Sequence, residues 1–183
     1  MDAVHGFARR EFQLMLLRRM ADFQPDLVEA AYTEMGAMKA DYMRAHNRWQ
    51  SMLRSRRAPS GLALYRAALG PPDDETPRRF GDVALRACAW ALPGLWPDLR
   101  WEALVGAADV VVHAWLVRAP DAPPPQLPDL NGVAPWSCVV GDVLARHPDV
   151  EQVDPVVPSQ WRLVSGPLQL IFVHGLYQAV RRG

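Results

Sequence analysis

Residues 101–117 read "WEALVGAADVVVHAWLV", an almost unbroken apolar run with Asp109 and His113 four positions apart. The fold class turns on how this run is read. As a helix, its polar stripe holds Glu102, Gly106, Asp109 and His113, and the opposite face holds Trp101, Leu104, Ala108, Val111, Val112 and Trp115. Residues at i and i+4 share a helix face, so the carboxylate of Asp109 would stand beside the His113 imidazole. Such a pair can orient a base or contribute two metal ligands, only half of what a zinc site needs. The plainer reading is the wet edge of an amphipathic helix.

The flanking sequence reads the same way. Asp2 can cap a helix running to Met20. Pro25 stands at a first helical position, and Leu27, Ala31, Met35, Met38, Tyr42, Trp49 and Met52 form one helical stripe. This predicts a single long helix over about 25–57, weakened at Gly36. Its acids (Asp26, Glu29, Glu34) come early and its arginines late, as the helix dipole favours. "GLALYRAAL" predicts a short helix ending at Gly70, "GPPDDETP" a loop, and "RRFGDVALRACAWAL" another helix. A proline-rich connection spans 119–135, and Pro135 opens a helix to about His147. The last segment, "SGPLQLIFVHGLYQAVRRG", carries helix start and stop signals, with a hairpin through "WRLVSGPLQLIFV" as the alternative. The expectation is an all-α, single-domain bundle of six to eight helices over 1–183. "GDVALR" at 81–86 and "GDVLAR" at 141–146 echo each other as two similar helix starts.

Composition narrows the function classes. The 183 residues are 50% hydrophobic and 22% charged, with net charge zero, so neither disorder nor whole-chain attraction to polyanions is expected. Lys39 is the only lysine among twenty basic residues. With abundant Ala and Pro, that points to a GC-rich bacterium, phage or virus. Cys88 and Cys138 sit in apolar surroundings with no disulfide or C-x-x-C spacing, which suits a reducing compartment. The expected location is the cytoplasm, or the host-cell cytoplasm or virion for a viral protein. No apolar run is long enough for a membrane span. No H-E-x-x-H, H-x-x-x-H or Glu-x-x-His pair, P-loop, G-x-G-x-x-G or G-x-S-x-G motif appears, and no cofactor is expected.

Three readings follow. The first is a non-enzymatic protein-interaction or assembly subunit that self-associates or binds protein, with Trp136 and Trp161 beside loops as anchors and Arg54, Arg56 and Arg57 as charged contacts. The second is a nucleic-acid-associated subunit, since no acid falls between Asp41 and Asp73. There Arg44, Arg48, Arg54, Arg56 and Arg57 would grip phosphates and Trp49 would stack a base. The same arginines could instead pair with acids of 121–154, in this chain or a neighbouring copy. The third is a helical enzyme or ligand sensor built on Asp109 and His113.

Overall fold

The computed structural model describes residues 7–183 and is mixed α and β, not all-α. Asp2, the expected cap, lies outside the described residues. Four helices come first: α1 (Arg9–Met20), α2 (Pro25–Glu34), α3 (Lys39–Arg54) and α4 (Leu62–Leu69). The strands β1 (Asp74–Phe80), β2 (Val83–Ala91), β3 (Leu99–Val105) and β4 (Val111–Arg118) form an antiparallel meander. The proline-rich connection leads to α5 (Val140–Arg146) and a second meander, β5 (Glu151–Val153), β6 (Gln160–Ser165), β7 (Leu168–Val173) and β8 (Leu176–Arg182).

The long helix expected over 25–57 is two helices. Gly36 takes φ +63, and its N–H and that of Ala37 close the end of α2 onto Thr33 and Tyr32. The Asp41 carboxylate accepts the Met38 N–H at 2.8 Å and starts α3 afresh. The stripe divides accordingly: Tyr42, Trp49 and Met52 are core, while Met38 is exposed at the break.

The helices expected over 78–92, 98–117 and 165–183 are strands, and the loop expected at 70–77 contributes most of β1. Short turns explain why. Gly81 (φ +59), with Asp82, joins β1 to β2. Gly166 (φ +56), with Pro167, joins β6 to β7, so the hairpin alternative for that segment is the one observed. His174 and Gly175 both have positive φ between β7 and β8, as a type I′ turn requires. The helix expected from Pro135 starts only at Val140. "GDVALR" is a turn and strand while "GDVLAR" is a helix, so the echo is no repeat.

One face of the first sheet receives the helices. Along β3, Leu99, Trp101, Ala103 and Val105 point into this layer, and Trp90 faces Trp101 across the β2–β3 pair. Phe12 meets Trp101 edge-on at 5.0 Å and Trp49 at 5.2 Å, and Tyr65 fills the space towards Trp90. Arg9 ties α1 to the sheet through bonds to the Leu69 and Ala91 carbonyls and to both oxygens of Asp73. That guanidinium holds the Asp73 carboxyl below the usual carboxylate range. A second core of Leu127, Leu130, Cys138, Val143, Leu163, Leu170, Phe172 and Tyr177 lies between α5, the proline-rich connection and the second sheet.

A seam joins the two halves. The Leu116 N–H of β4 donates to the His174 carbonyl at 2.8 Å, the Trp136 N–H to the Tyr177 carbonyl, the Tyr177 N–H to the Cys138 carbonyl, and the Val140 N–H to the Gly175 carbonyl. Arg118 of β4 forks onto Asp142 of α5. Gln24 reaches from the helical layer to the Gln178 carbonyl at 2.7 Å.

Candidate functional site

Asp109 and His113 do not share a face. Their segment is a hairpin, so the helical spacing that paired them does not exist. Asp109 lies in the turn between β3 and β4 at φ +57 and pairs with Arg86, which also binds Glu75 at 3.3 Å. Glu75 in turn binds Arg66 at 3.0 Å. Arg86 stands opposite Val105 on the helix-facing side of the sheet, whereas His113 stands opposite Leu104 on the outer side. An acid–base dyad between them is therefore ruled out by register.

The arginine segment is also rearranged. Trp49 is buried against Phe7 and Phe12 and offers no stacking platform. Arg44 pairs with Asp41 at 3.2 Å, and Arg48 lies 5.8 Å from the centre of the Phe7 ring. Arg54, Arg56 and Arg57 are exposed at and beyond the end of α3. Trp136 is half-buried at φ +64, meets Trp96 edge-on at 5.7 Å, and donates its Nε1–H to the buried Gln178 at 3.0 Å. Those bonds make it a tie across the seam.

Trp161 has a different setting. It sits on β6 with its ring 4.6 Å from His113 and 5.2 Å from Trp115, both edge-on, and His113 is 4.1 Å from Trp115. His113 and Trp115 are alternate residues of β4 and so point the same way, onto the outer face of the first sheet. All three rings are half-buried. Glu102, opposite Trp115, is on this face too and lies 3.6 Å from Arg78. Burial raises its pKa, and Arg78 lowers it in part.

Toward the turn end the same face becomes openly apolar. Phe80 and Val83 flank the β1–β2 turn, while Val110 and Val112 flank the start of β4, and each is more than half exposed. The β-bulge between Leu104 and Val105 leaves Val112 without a register partner and turns it outward, beside Leu85. Helical periodicity hid these residues. The signal for Phe80 and Val83 was Phe-Gly-Asp-Val, a two-residue turn between apolar residues.

Burial pushes the His113 pKa down to about 4, so the imidazole is neutral near pH 7. Cys88 and Cys138 are free and buried, and burial pushes the Cys138 thiol up to about 12, far from a reactive thiolate. Among the described residues no group of three or more His, Cys, Asp or Glu side chains could hold a metal ion. Nor is any helix among them long and apolar enough to cross a membrane.

His174, in the seam turn, is held at about 3, first by burial and then by His46 and Arg19. Both rings therefore bind a proton less readily in the folded chain than in the unfolded one. Their neutral forms contribute full stability above about pH 6.5, and this is lost as pH falls toward about 4 for His113 and about 3 for His174. We expect the urea midpoint to drop between pH 7 and pH 5, and His113→Phe to flatten part of that slope. Identical slopes for the two proteins would contradict the assignment to His113.

No family model matches the chain, and no curated protein does. A solved Streptococcus mutans structure named "putative beta-lactamase inhibitor protein" aligns at 11% identity over 71% of this chain and 86% of that one, with a TM-score of 0.29. A likeness of that size carries no argument about function.

Proposed function

We propose that this chain is a non-enzymatic protein-interaction module that docks its partner on the outer face of the first sheet. The carrying observation is the continuity of two features. Phe80, Val83, Val110 and Val112 stand exposed at the turn end, and His113, Trp115 and Trp161 form a half-exposed aromatic cluster farther along. Contiguous exposed apolar surface of this kind marks interaction sites, and indoles beside a polar group are preferred anchors. The Arg78–Glu102 pair supplies a charged element beside them. The Asp109/His113 enzyme reading has lost its geometry, which leaves recognition as the better-supported class.

The test uses the full chain and a Phe80→Asp/Val112→Asp variant. Both substitutions sit on exposed side chains, so circular dichroism and thermal melting should match the parent. The parent should capture a discrete protein from its source extract, and the variant should lose it. A further Trp161→Ala variant should weaken capture by more than about tenfold, the effect of removing a central aromatic anchor. Undiminished capture by both variants would overturn the docking face.

A further inference from the structure

We propose that a second surface joins copies of this chain head to tail: the arginine-rich end of α3 docks onto the acidic 149–157 segment of another copy. The first patch is Leu53, Arg54, Arg56 and Arg57, all exposed, with an apolar side chain beside three cations. The second lies at and after β5, where Asp149, Glu151 and Asp154 are exposed. Beside them Val156 is three-quarters exposed and Val157 also projects into solvent. Each patch thus combines apolar side chains with three charges, of opposite sign on the two.

Intramolecular pairing does not use up these charges. No ion pair among the described residues involves Arg54, Arg56, Arg57, Asp149, Glu151 or Asp154. Most other arginines of the helical layer have local acidic partners, Arg9 with Asp73, Arg18 with Asp22, Arg44 with Asp41 and Arg66 with Glu75. These six charges cancel in sum, so the two clusters match in number and oppose in sign. Complementary potentials of this sort steer association and fix register. Two different patches of one molecule make a heterologous contact, which closes into a ring or extends as a chain. Leu53 against Val156 and Val157 adds apolar burial that excludes water from the charge pairs. This surface is separate from the docking face, so Phe80→Asp/Val112→Asp should leave the association intact.

The experiment is sedimentation of the full chain at low and high salt with two charge-reversed variants. One is Arg54→Glu/Arg56→Glu/Arg57→Glu, and the other is Asp149→Arg/Glu151→Arg/Asp154→Arg. The parent should self-associate at low salt and dissociate near 1 M salt, where the screening length falls to about 3 Å. Each variant alone should weaken association by more than about tenfold, and an equimolar mixture should restore it, because each then presents what the other lacks. A parent that stays monomeric at low salt, or a mixture that stays dissociated, would overturn the proposal. So would association abolished by nuclease, which would assign the arginines to nucleic acid instead.

Discussion

Replacing Gly175 by alanine should cost about 3 kcal/mol of stability, the sum of left-handed backbone strain and one or two lost seam hydrogen bonds. Gly175 has φ +84, where an L side chain is strained. A Cβ there would also stand 2.8 Å from the Leu116 carbonyl oxygen, 3.1 Å from the Leu116 nitrogen and 3.0 Å from the Trp115 Cβ. Two of those neighbours are backbone atoms of β4 and cannot swing aside. Relief requires β4 and the β7–β8 turn to part. That movement lengthens the Leu116 N–H to His174 carbonyl bond and disturbs the Val140 N–H bond to Gly175. Gly36→Ala is the control, because Gly36 has φ +63 with nothing near its missing Cβ. It should cost only the backbone term, about 1 kcal/mol. In thermal melts of a chain this size the seam variant should lose about 6–12 °C and the control about 2–4 °C. Equal losses would mean that the seam yields freely.

The same turn shows what could be read from sequence and what could not. Helix signals that act locally were legible: the run to Met20, Pro25 at a helix start, the stop at Gly70 and the weak point at Gly36 all have counterparts. The strands were obscured because Ala, Leu, Trp and Val suit either state, and tertiary pairing decides between them. "LRWEALV" alternates strictly between buried and half-buried residues, yet Leu104 on the outer face made it look like one apolar run. Gly81-Asp82, Gly166-Pro167 and His174-Gly175 each look minor alone, but each is a two-residue hairpin turn. Read together, they divide the sequence into meanders. The candidate site suffered from the same error. Trp161 was legible as an aromatic beside loops, but its neighbours His113 and Trp115 come from another sheet, a contact that no local pattern encodes.

Asp142→Ala should be about as costly as the seam glycine variant, for an electrostatic reason. The carboxylate is 8% exposed and the Arg118 side chain 17%. Arg118 donates from Nε at 2.9 Å and from Nη2 at 2.8 Å, and the Val139 N–H at the start of α5 donates to the same carboxylate at 2.9 Å. Removing Asp142 leaves a largely buried guanidinium with only the Ser137 carbonyl at 3.4 Å, and it also strips the helix start of its acceptor. Breaking one side of a buried pair costs about 3–5 kcal/mol, whereas replacing both sides by apolar groups is often close to neutral. The double variant Arg118→Met/Asp142→Leu should therefore be more stable than Asp142→Ala alone. Asp22→Ala, which removes the exposed partner of Arg18, should cost less than about 1 kcal/mol. Urea unfolding of the set gives the comparison, and a loss below about 1 kcal/mol for Asp142→Ala would contradict the account. Tryptophan emission provides an independent check. Arg118 anchors the end of the strand that carries Trp115, so a loosened β4 should separate Trp115 from Trp161 and shift their emission to the red before global unfolding. If stability falls without that early shift, the Arg118–Asp142 pair holds α5 in place and not the aromatic face.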